Sequence, residues 1–107
     1  MQQLGAGQIA EWLADDSRSS PVLLDVRESW EFELCHLAGS TLIPMQSIPS
    51  RLGELNPEQE IVVICHHGVR SMQVALFLEN RGFEAITNLA GGVEAWATEV
   101  DPTMPRY

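Results

Sequence analysis

The sequence contains no lysine, and its six arginines are outnumbered by fifteen acidic residues, so the formal net charge is −9 at pH 7. Proteins that bind nucleic acid need a basic face for the phosphate backbone, and this charge balance argues against one. An anionic substrate would also be repelled by the chain as a whole. We therefore expect any anion to be held by local hydrogen-bond donors and by an arginine close to them.

Cysteine is scarce as well, since Cys35 and Cys65 are the only two. They could pair in principle, but two are too few for a disulfide scaffold. No apolar run approaches the ~18 residues of a membrane span, and the amino end lacks the basic and apolar regions of a secretory signal. These absences predict a cytoplasmic protein without a membrane partner. A chain of 107 residues suits one domain, residues 1–107, with a monomer as the default.

Short apolar runs alternate with stretches of helical periodicity along the chain. The strand candidates are 22–24, 41–43, 61–64 and 85–87, and the helix candidates are 8–15, 28–34, 49–55, 70–80 and a short helix after Gly91-Gly92. Strands that are apolar throughout and alternate with helices are typical of a parallel sheet covered on both faces. We predict an α/β domain with a central, mostly parallel sheet of about five short strands, a core over about 4–100 and an extended tail over 101–107.

Residues 61–71, which read IVVICHHGVRS, carry the clearest functional signal. A buried strand ends at Cys65, a tight loop with Gly68 follows, and Arg70 lies in the first turn of a helix. Backbone N–H groups converge at such a junction, and the helix N-terminus adds roughly half a positive charge. Together with Arg70 they favour the thiolate, which is the nucleophilic form of Cys65. A buried structural cysteine is the alternative.

Ligands of parallel sheets bind beyond the carboxyl ends of the strands. Cys65 lies at one such end and Asp25 at another. The Asp25 carboxylate could accept N–H groups of the cysteine loop and fix its shape. Arg27 either pairs with Glu31, four residues on, or points at an incoming anion. We expect Asp25 and Arg27 to have supporting, structural roles.

His66 and His67 raise the question of a metal site or a general base. Cys65 and the two histidines follow one another directly, which is poor spacing for zinc ligands, and adding Cys35 and His36 requires a fold that brings two loops together. A thiolate needs no base. We therefore predict no metal, and expect the histidines to shape the rim of the pocket and to donate hydrogen bonds.

Three stretches, in order, resemble the signatures of rhodanese-domain sulfurtransferases. They are CHHGVRS at 65–71; LDVRE, EF, HLAGS and IP between 24 and 44; and LAGGV with Trp96 between 89 and 96. The matches run from about residue 4 to 100, and the chain resembles the single-domain members. Cys35 departs from the pattern, because the first signature usually has glycine there. We expect Cys35 to be an inert small residue, and the alternative is a second thiol that resolves a persulfide on Cys65.

The resemblance implies a sulfurtransferase with Cys65 as the catalytic residue. Its thiolate would take a sulfur from thiosulfate or a thiol persulfide, and cyanide or a thiol would remove that sulfur, with no metal or organic cofactor. A persulfide-carrying protein could replace the small donor. The amides of the loop and the Ser71 hydroxyl would cradle the charged sulfur. The implied substrate-binding residues are His66, His67, Gly68, Val69, Arg70 and Ser71.

Two alternative functions stay open. A cysteine-dependent phosphatase or arsenate reductase can share this fold, but such relatives place five residues between cysteine and arginine. Here four residues separate Cys65 from Arg70, which leaves too little room for a tetrahedral oxyanion. The second alternative is a non-catalytic rhodanese-like regulatory module. Inactive members of that kind typically lack the cysteine, and Cys65 is present.

Overall fold

Helices and strands alternate along the chain, and the computed structural model describes all 107 residues. The elements are β1 (Gln2–Leu4), α1 (Ala6–Ala14), β2 (Val22–Asp25), α2 (Ser29–Leu34), β3 (Thr41–Leu42), β4 (Ile61–Ile64), α3 (Val69–Asn80), β5 (Ile86–Leu89) and α4 (Gly92–Glu99). Two single-turn 3-10 helices, Met45–Ser47 and Leu52–Glu54, lie between β3 and β4. None of the helices has the length and the apolar sequence that a membrane span requires.

The five strands form one sheet in the order β1-β5-β4-β2-β3, and every neighbouring pair is parallel. The predicted α/β class with a parallel sheet is confirmed. β4 is the central strand and is buried along its whole length. Asp25 pairs with Ile64 on one side of β4, and Asn88 pairs with Val63 on the other. Cys65, which follows β4, therefore lies at the carboxyl edge of the sheet, between the strand that ends at Asp25 and the strand that carries Asn88.

Each face of the sheet packs against its own hydrophobic cluster. Val62 and Ile64 belong to the cluster under α1 and α4, whereas Val63 and Cys65 belong to the cluster under α3. This split follows from the two-residue period of a strand, which sends successive side chains to opposite faces. Cys35 belongs to the first cluster, so the two cysteines lie in clusters on opposite faces of the sheet.

The predicted helix over 49–55 is wrong. The structure has a 3-10 turn on either side of Pro49 and no α-helix between β3 and β4. Pro49 has no N–H to donate to a helical hydrogen bond, and glycine at position 53 has low helix propensity. A helix of only seven residues is therefore not stable here. The i, i+4 spacing of Ile48 and Leu52 still brings both side chains against the α3 cluster, which is why the segment resembles a helix in sequence.

The two ends of the chain also differ from the sequence-based description. β1 is a short, mostly exposed edge strand of Gln2–Leu4 that apolar periodicity does not reveal. Residues 101–107, which the sequence predicts to be extended, contain a turn closed by the bond from the Met104 N–H to the Asp101 carbonyl. Met104 is buried in the cluster under α1 and α4, and the segment then runs on to Tyr107 beside α2.

Candidate active site

The loop 65–68 places a backbone N–H against the thiol. Cys65 is 1% exposed, and its Sγ accepts a hydrogen bond from the Gly68 N–H at 3.0 Å. Gly68 has a φ of +103°, in the region that favours glycine, and a Cβ there would lie 3.2 Å from the Gly91 nitrogen. Glycine at this position therefore lets the loop turn tightly enough to aim its amide at the sulfur.

A chain of buried polar groups continues from the thiol. The Cys65 Sγ lies 3.3 Å from the Ser71 Oγ, and the Ser71 hydroxyl donates to the side-chain amide oxygen, Oδ1, of Asn88. The Asn88 amide in turn donates to the Gly68 carbonyl at 3.2 Å and to Gln3 at 2.9 Å. Asn88 is a residue that the sequence reasoning missed. The signal was present, because Asn88 is a polar residue near the carboxyl end of a strand, the position that singled out Asp25.

The first turn of α4 holds the loop from behind. The Val93 N–H donates to the Cys65 carbonyl at 2.9 Å, and the Glu94 N–H donates to the His66 carbonyl at 3.1 Å. Gly92, with a φ of +58°, permits this approach: a Cβ there would lie 2.3 Å from the His66 carbonyl oxygen and 2.4 Å from that of Cys65. With two of its carbonyls turned toward α4, the loop is fixed in the orientation that presents its Gly68 amide to the sulfur.

Arg70 is paired within the protein. Its two terminal amino groups donate to the two oxygens of Glu31 at 2.6 and 2.8 Å, and the Glu31 side chain is 5% exposed. The same carboxylate accepts the Glu28 N–H and the Tyr107 hydroxyl. The hydrogen bonds from Arg70 are the main reason that the pKa of Glu31 falls to about 2, and the pKa of Arg70 is raised in return. No pattern in the sequence indicates that Glu31 is the partner of Arg70.

Asp25 and Arg27 form a buried ion pair with no exposed surface. The Arg27 guanidinium donates to both Asp25 oxygens and also to the Cys35 carbonyl at 2.6 Å and the Tyr107 hydroxyl oxygen at 2.9 Å. Burial alone would lower the pKa of Arg27, but the hydrogen bonds with Asp25 and Tyr107 raise it. The expected bonds from the cysteine loop to Asp25 are absent, because Arg27 occupies that carboxylate. Arg27 does not pair with the carboxylate of Glu31, and its one contact with that residue is a hydrogen bond to the main-chain carbonyl.

His66 and His67 form a stacked rim with Tyr107. The His66 ring lies 3.9 Å from the ring of His67 on one side and 3.9 Å from that of Tyr107 on the other. Burial, together with the nearby His67, lowers the pKa of His66, which favours its neutral form. Val69 points outward and is 68% exposed. Of the residues predicted to bind substrate, Gly68 and Ser71 contact the sulfur in this structure.

The nitrogens of His66 and His67 and a carboxylate oxygen of Glu94 lie within 4.8 Å of one another. A metal ion must lie close to the plane of each ligating imidazole. The two rings are stacked with only 23° between their planes, so those planes do not meet near the nitrogens. Glu94 also forms an ion pair with Arg106. The group is therefore not arranged as a convergent ligand set.

The thiol is covered in this conformation. Three cavities indent the surface, and none of them is lined by a residue of the segment 65–71. One lies beside Met45 and Phe77, one near β1, and one between Cys35 and Met104. Because Cys65 is 1% exposed, a reagent reaches its sulfur only after neighbouring groups move.

The family model of the rhodanese-like domain matches residues 9–99. The chain belongs to this family. Among related proteins, this rhodanese-like domain is 40% identical over 89 residues to the rhodanese-like/PpiC domain-containing protein 12 of Arabidopsis thaliana, and 37% identical over 86 residues to the putative sulfur carrier protein YrkF of Bacillus subtilis. These matches cover 79% and 80% of this chain but 30% and 46% of the two relatives, so the chain spans less than half the length of either.

A shorter relative and a solved structure cover more of their own lengths. Thiosulfate sulfurtransferase GlpE of Vibrio cholerae is 34% identical over 74 residues, which are 69% of this chain and 70% of that protein. The crystal structure of a rhodanese-like domain protein from Staphylococcus aureus superposes with a TM-score of 0.85 at 27% identity, covering 100% of this chain and 99% of the other. The rhodanese-like domain thus has sulfurtransferases and sulfur carriers among its relatives.

Replacing Gly92 by alanine tests the contact between α4 and the cysteine loop. A methyl group at position 92 would collide with the carbonyl oxygens of Cys65 and His66, and Gly92 has a positive φ. Gly92→Ala should therefore lower the free energy of unfolding by about 2–4 kcal/mol. Gly7→Ala is the matched control, since Gly7 lies in α1 with nothing within 4 Å of an added Cβ and should gain about 1 kcal/mol. Urea unfolding measures both. Equal effects of the two substitutions would contradict the contact.

The Glu31–Arg70 pair predicts a pH dependence of stability. Because folding depresses the pKa of Glu31 from 4.5 to about 2, its contribution is complete above pH 4.5 and is lost as the pH falls toward 2. Glu31→Gln should therefore destabilise the protein by about 2–3 kcal/mol at pH 7, and the difference from wild type should shrink between pH 4.5 and 2. Glu54→Gln, which alters an exposed pair with Arg51, is the control. A difference independent of pH would contradict this account.

Proposed function

We propose that this rhodanese-like domain is a sulfurtransferase that carries a sulfane sulfur on Cys65. The observation that carries the proposal is the setting of the thiol, a buried Sγ that accepts the Gly68 N–H directly before the first turn of α3. The first N–H groups of a helix have no helical acceptor, and they add positive potential at that end. Both favour a negatively charged sulfur at Cys65.

The Ser71 hydroxyl can serve both states of the cysteine. In the thiol state, the Cys65 S–H points to the Ser71 Oγ, which itself donates to Asn88. In the thiolate or persulfide state, rotation of the Ser71 hydroxyl would give the sulfur a second donor beside the Gly68 amide. The Gly68 amide is fixed before the reaction, so its part in stabilising the developing charge requires little reorganisation, whereas the Ser71 hydroxyl must exchange its bond to Asn88 for one to the sulfur.

The reaction has two half-reactions. The Cys65 thiolate attacks the outer sulfur of the donor, so that a new S–S bond forms and the old one breaks. Sulfite leaves from thiosulfate, or a thiolate leaves from a thiol persulfide, with the bonding electron pair. The acceptor, cyanide or a thiolate, then attacks the outer sulfur of the Cys65 persulfide, and the Cys65 thiolate leaves. The carrier alternates between two covalent forms, which gives ping-pong kinetics.

The space around the loop favours sulfur over phosphate. Only four residues separate Cys65 from Arg70, and Gly68 packs closely against the backbone of Gly91. None of the three surface cavities is lined by a residue of the segment 65–71. A single sulfur atom adds little volume to Sγ, whereas a phosphoryl or arsenate group would need room for three further oxygens. The relatives named as thiosulfate sulfurtransferase and putative sulfur carrier support the same choice.

The charges around the site favour a thiol persulfide over thiosulfate as donor. Arg70 is the cation nearest in sequence to the thiol, and Glu31 engages both of its terminal amino groups. Glu94 lies beside His66, and the chain carries a net charge of −9. A dianion such as thiosulfate meets few free positive charges here, whereas a thiol persulfide carries at most one negative charge at the sulfur atoms that enter the site.

An assay with both donors tests the reaction and the role of each cysteine. We expect Cys65→Ser to reduce transfer from thiosulfate to cyanide and from glutathione persulfide to a thiol by about 1000-fold or more. Cys35→Ala is the matched control and should stay within about twofold of wild type, because Cys35 lies in the cluster on the other face of the sheet. Rates of thiocyanate formation and of persulfide consumption are the measurements.

Each outcome of this assay decides a separate point. Equal losses in the two cysteine variants would show a two-thiol mechanism and contradict the proposal. A higher kcat/KM for glutathione persulfide than for thiosulfate at physiological salt is expected, and a micromolar KM for thiosulfate would overturn the choice of donor. No transfer from either donor, together with hydrolysis of an artificial phosphate ester, would support the phosphatase alternative. Inactivity with every substrate would support a regulatory module.

A further inference from the structure

Tyr107 makes contacts that the reaction as described does not use. Its hydroxyl donates to Glu31 at 2.8 Å and accepts from Arg27 at 2.9 Å. Its ring stacks on His66 at 3.9 Å and meets the edge of Trp30 at 5.8 Å. One side chain thus touches the buried ion pair behind the site and the histidine that follows Cys65.

The hydroxyl acts on the carboxylate that holds Arg70. Glu31 accepts four hydrogen bonds, two from Arg70, one from the Glu28 N–H and one from Tyr107. The carboxylate is almost fully buried, so each of these bonds restrains its orientation. While Tyr107 and Glu28 hold Glu31 in this orientation, both terminal amino groups of Arg70 are hydrogen-bonded to its carboxylate. They are then not free to bind an anionic sulfur donor.

The ring packs on the loop that carries the thiol, on the side of His66. Cys65 is 1% exposed, although His67 of the same loop and Val69 directly after it are exposed. Tyr107 lies flat against His66, the residue next to the thiol, and the segment 101–107 is held in place by the burial of Met104. The Tyr107 ring, held by the segment 101–107, therefore covers the loop on the side of His66.

We propose that Tyr107 is a positioning residue of the sulfur-transfer site: its hydroxyl holds Glu31 against Arg70, and its ring covers the cysteine loop over His66. This inference rests on the proposed function, since it assigns a role within the same site. When the ring moves aside, a donor gains access to Cys65. Loss of the hydroxyl bond also loosens Glu31, and Arg70 can then exchange that carboxylate for the charge of the donor. Access and anion binding are thereby coupled through one residue.

Alkylation of the thiol measures access without any sulfur donor. We expect iodoacetamide to modify Cys65 about tenfold faster in Tyr107→Ala than in wild type. Tyr107→Phe, which keeps the ring and loses only the hydroxyl, should react about two- to threefold faster than wild type. Thr103→Ala, in the same segment but bonded only to Asp101, should match wild type. Peptide masses after timed quenching report modification at Cys65 and at Cys35 separately.

Cys35 distinguishes a local cover from general loosening. It lines the cavity beside Met104, and its sulfur lies 3.9 Å from the Arg27 nitrogen that binds the Tyr107 hydroxyl, so its rate should rise by less than twofold in all three variants. The proposal is overturned if Tyr107→Ala leaves the Cys65 rate within twofold of wild type. It is also overturned if the rates at Cys35 and Cys65 rise in parallel, because Tyr107 would then only stabilise the fold.

Steady-state kinetics test the second half of the proposal. With thiosulfate as donor, Tyr107→Ala should lower KM by about threefold or more while kcat changes less, because the donor no longer has to displace the ring. Tyr107→Phe should lie between Tyr107→Ala and wild type, and Thr103→Ala should not differ from wild type. An unchanged KM, or a loss in kcat alone, would overturn the coupling. If no variant transfers sulfur, the proposed function fails, whereas the alkylation rates still decide whether Tyr107 covers Cys65.

Discussion

The site depends on the close approach of two backbones, the cysteine loop and the first turn of α4. Two amides of α4 bind the carbonyls of Cys65 and His66, and Gly92 leaves the space for this contact. A loop whose carbonyls are held on one side presents its N–H groups on the other. The Gly68 amide therefore points at the sulfur. The electrostatic setting of the thiol is thus a consequence of main-chain packing, and it does not require a charged side chain in contact with the sulfur.

A buried network of side chains surrounds this backbone arrangement. Asp25 neutralises Arg27, Arg27 binds the Tyr107 hydroxyl, and Tyr107 and Arg70 share the carboxylate of Glu31. No buried side-chain nitrogen or oxygen in the protein lacks a partner. Buried charges are tolerated only when they are paired and hydrogen-bonded in this way. The network links the carboxyl end of β2, the helix α2, the start of α3 and the segment 101–107, and so connects the cover of the site to its arginine.

The sequence allows the sheet and the position of Cys65 to be predicted, because apolar strands and the rule for parallel sheets depend on local patterns. It does not reveal the pairing of Glu31 with Arg70, since the two residues are 39 positions apart and Arg27 lies closer to Glu31 along the chain. Tyr107 has no periodic neighbours that would indicate its packing. The wrongly predicted helix over 49–55 has apolar spacing of the right kind but is too short and carries a glycine. Contacts between distant segments account for most of what was missed.

Intact-mass spectrometry under non-reducing conditions tests whether Cys65 carries the transferred sulfur. The intact masses of the wild-type protein and of Cys65→Ser are measured before and after treatment with excess thiosulfate or glutathione persulfide. If Cys65 carries the sulfur as a persulfide, the wild-type protein gains about 32 Da, the mass of one sulfur atom, and loses it again when cyanide is added. Cys65→Ser should show no such gain. No gain from either donor, in a folded wild-type protein whose Cys65 still reacts with iodoacetamide, would contradict this role of Cys65.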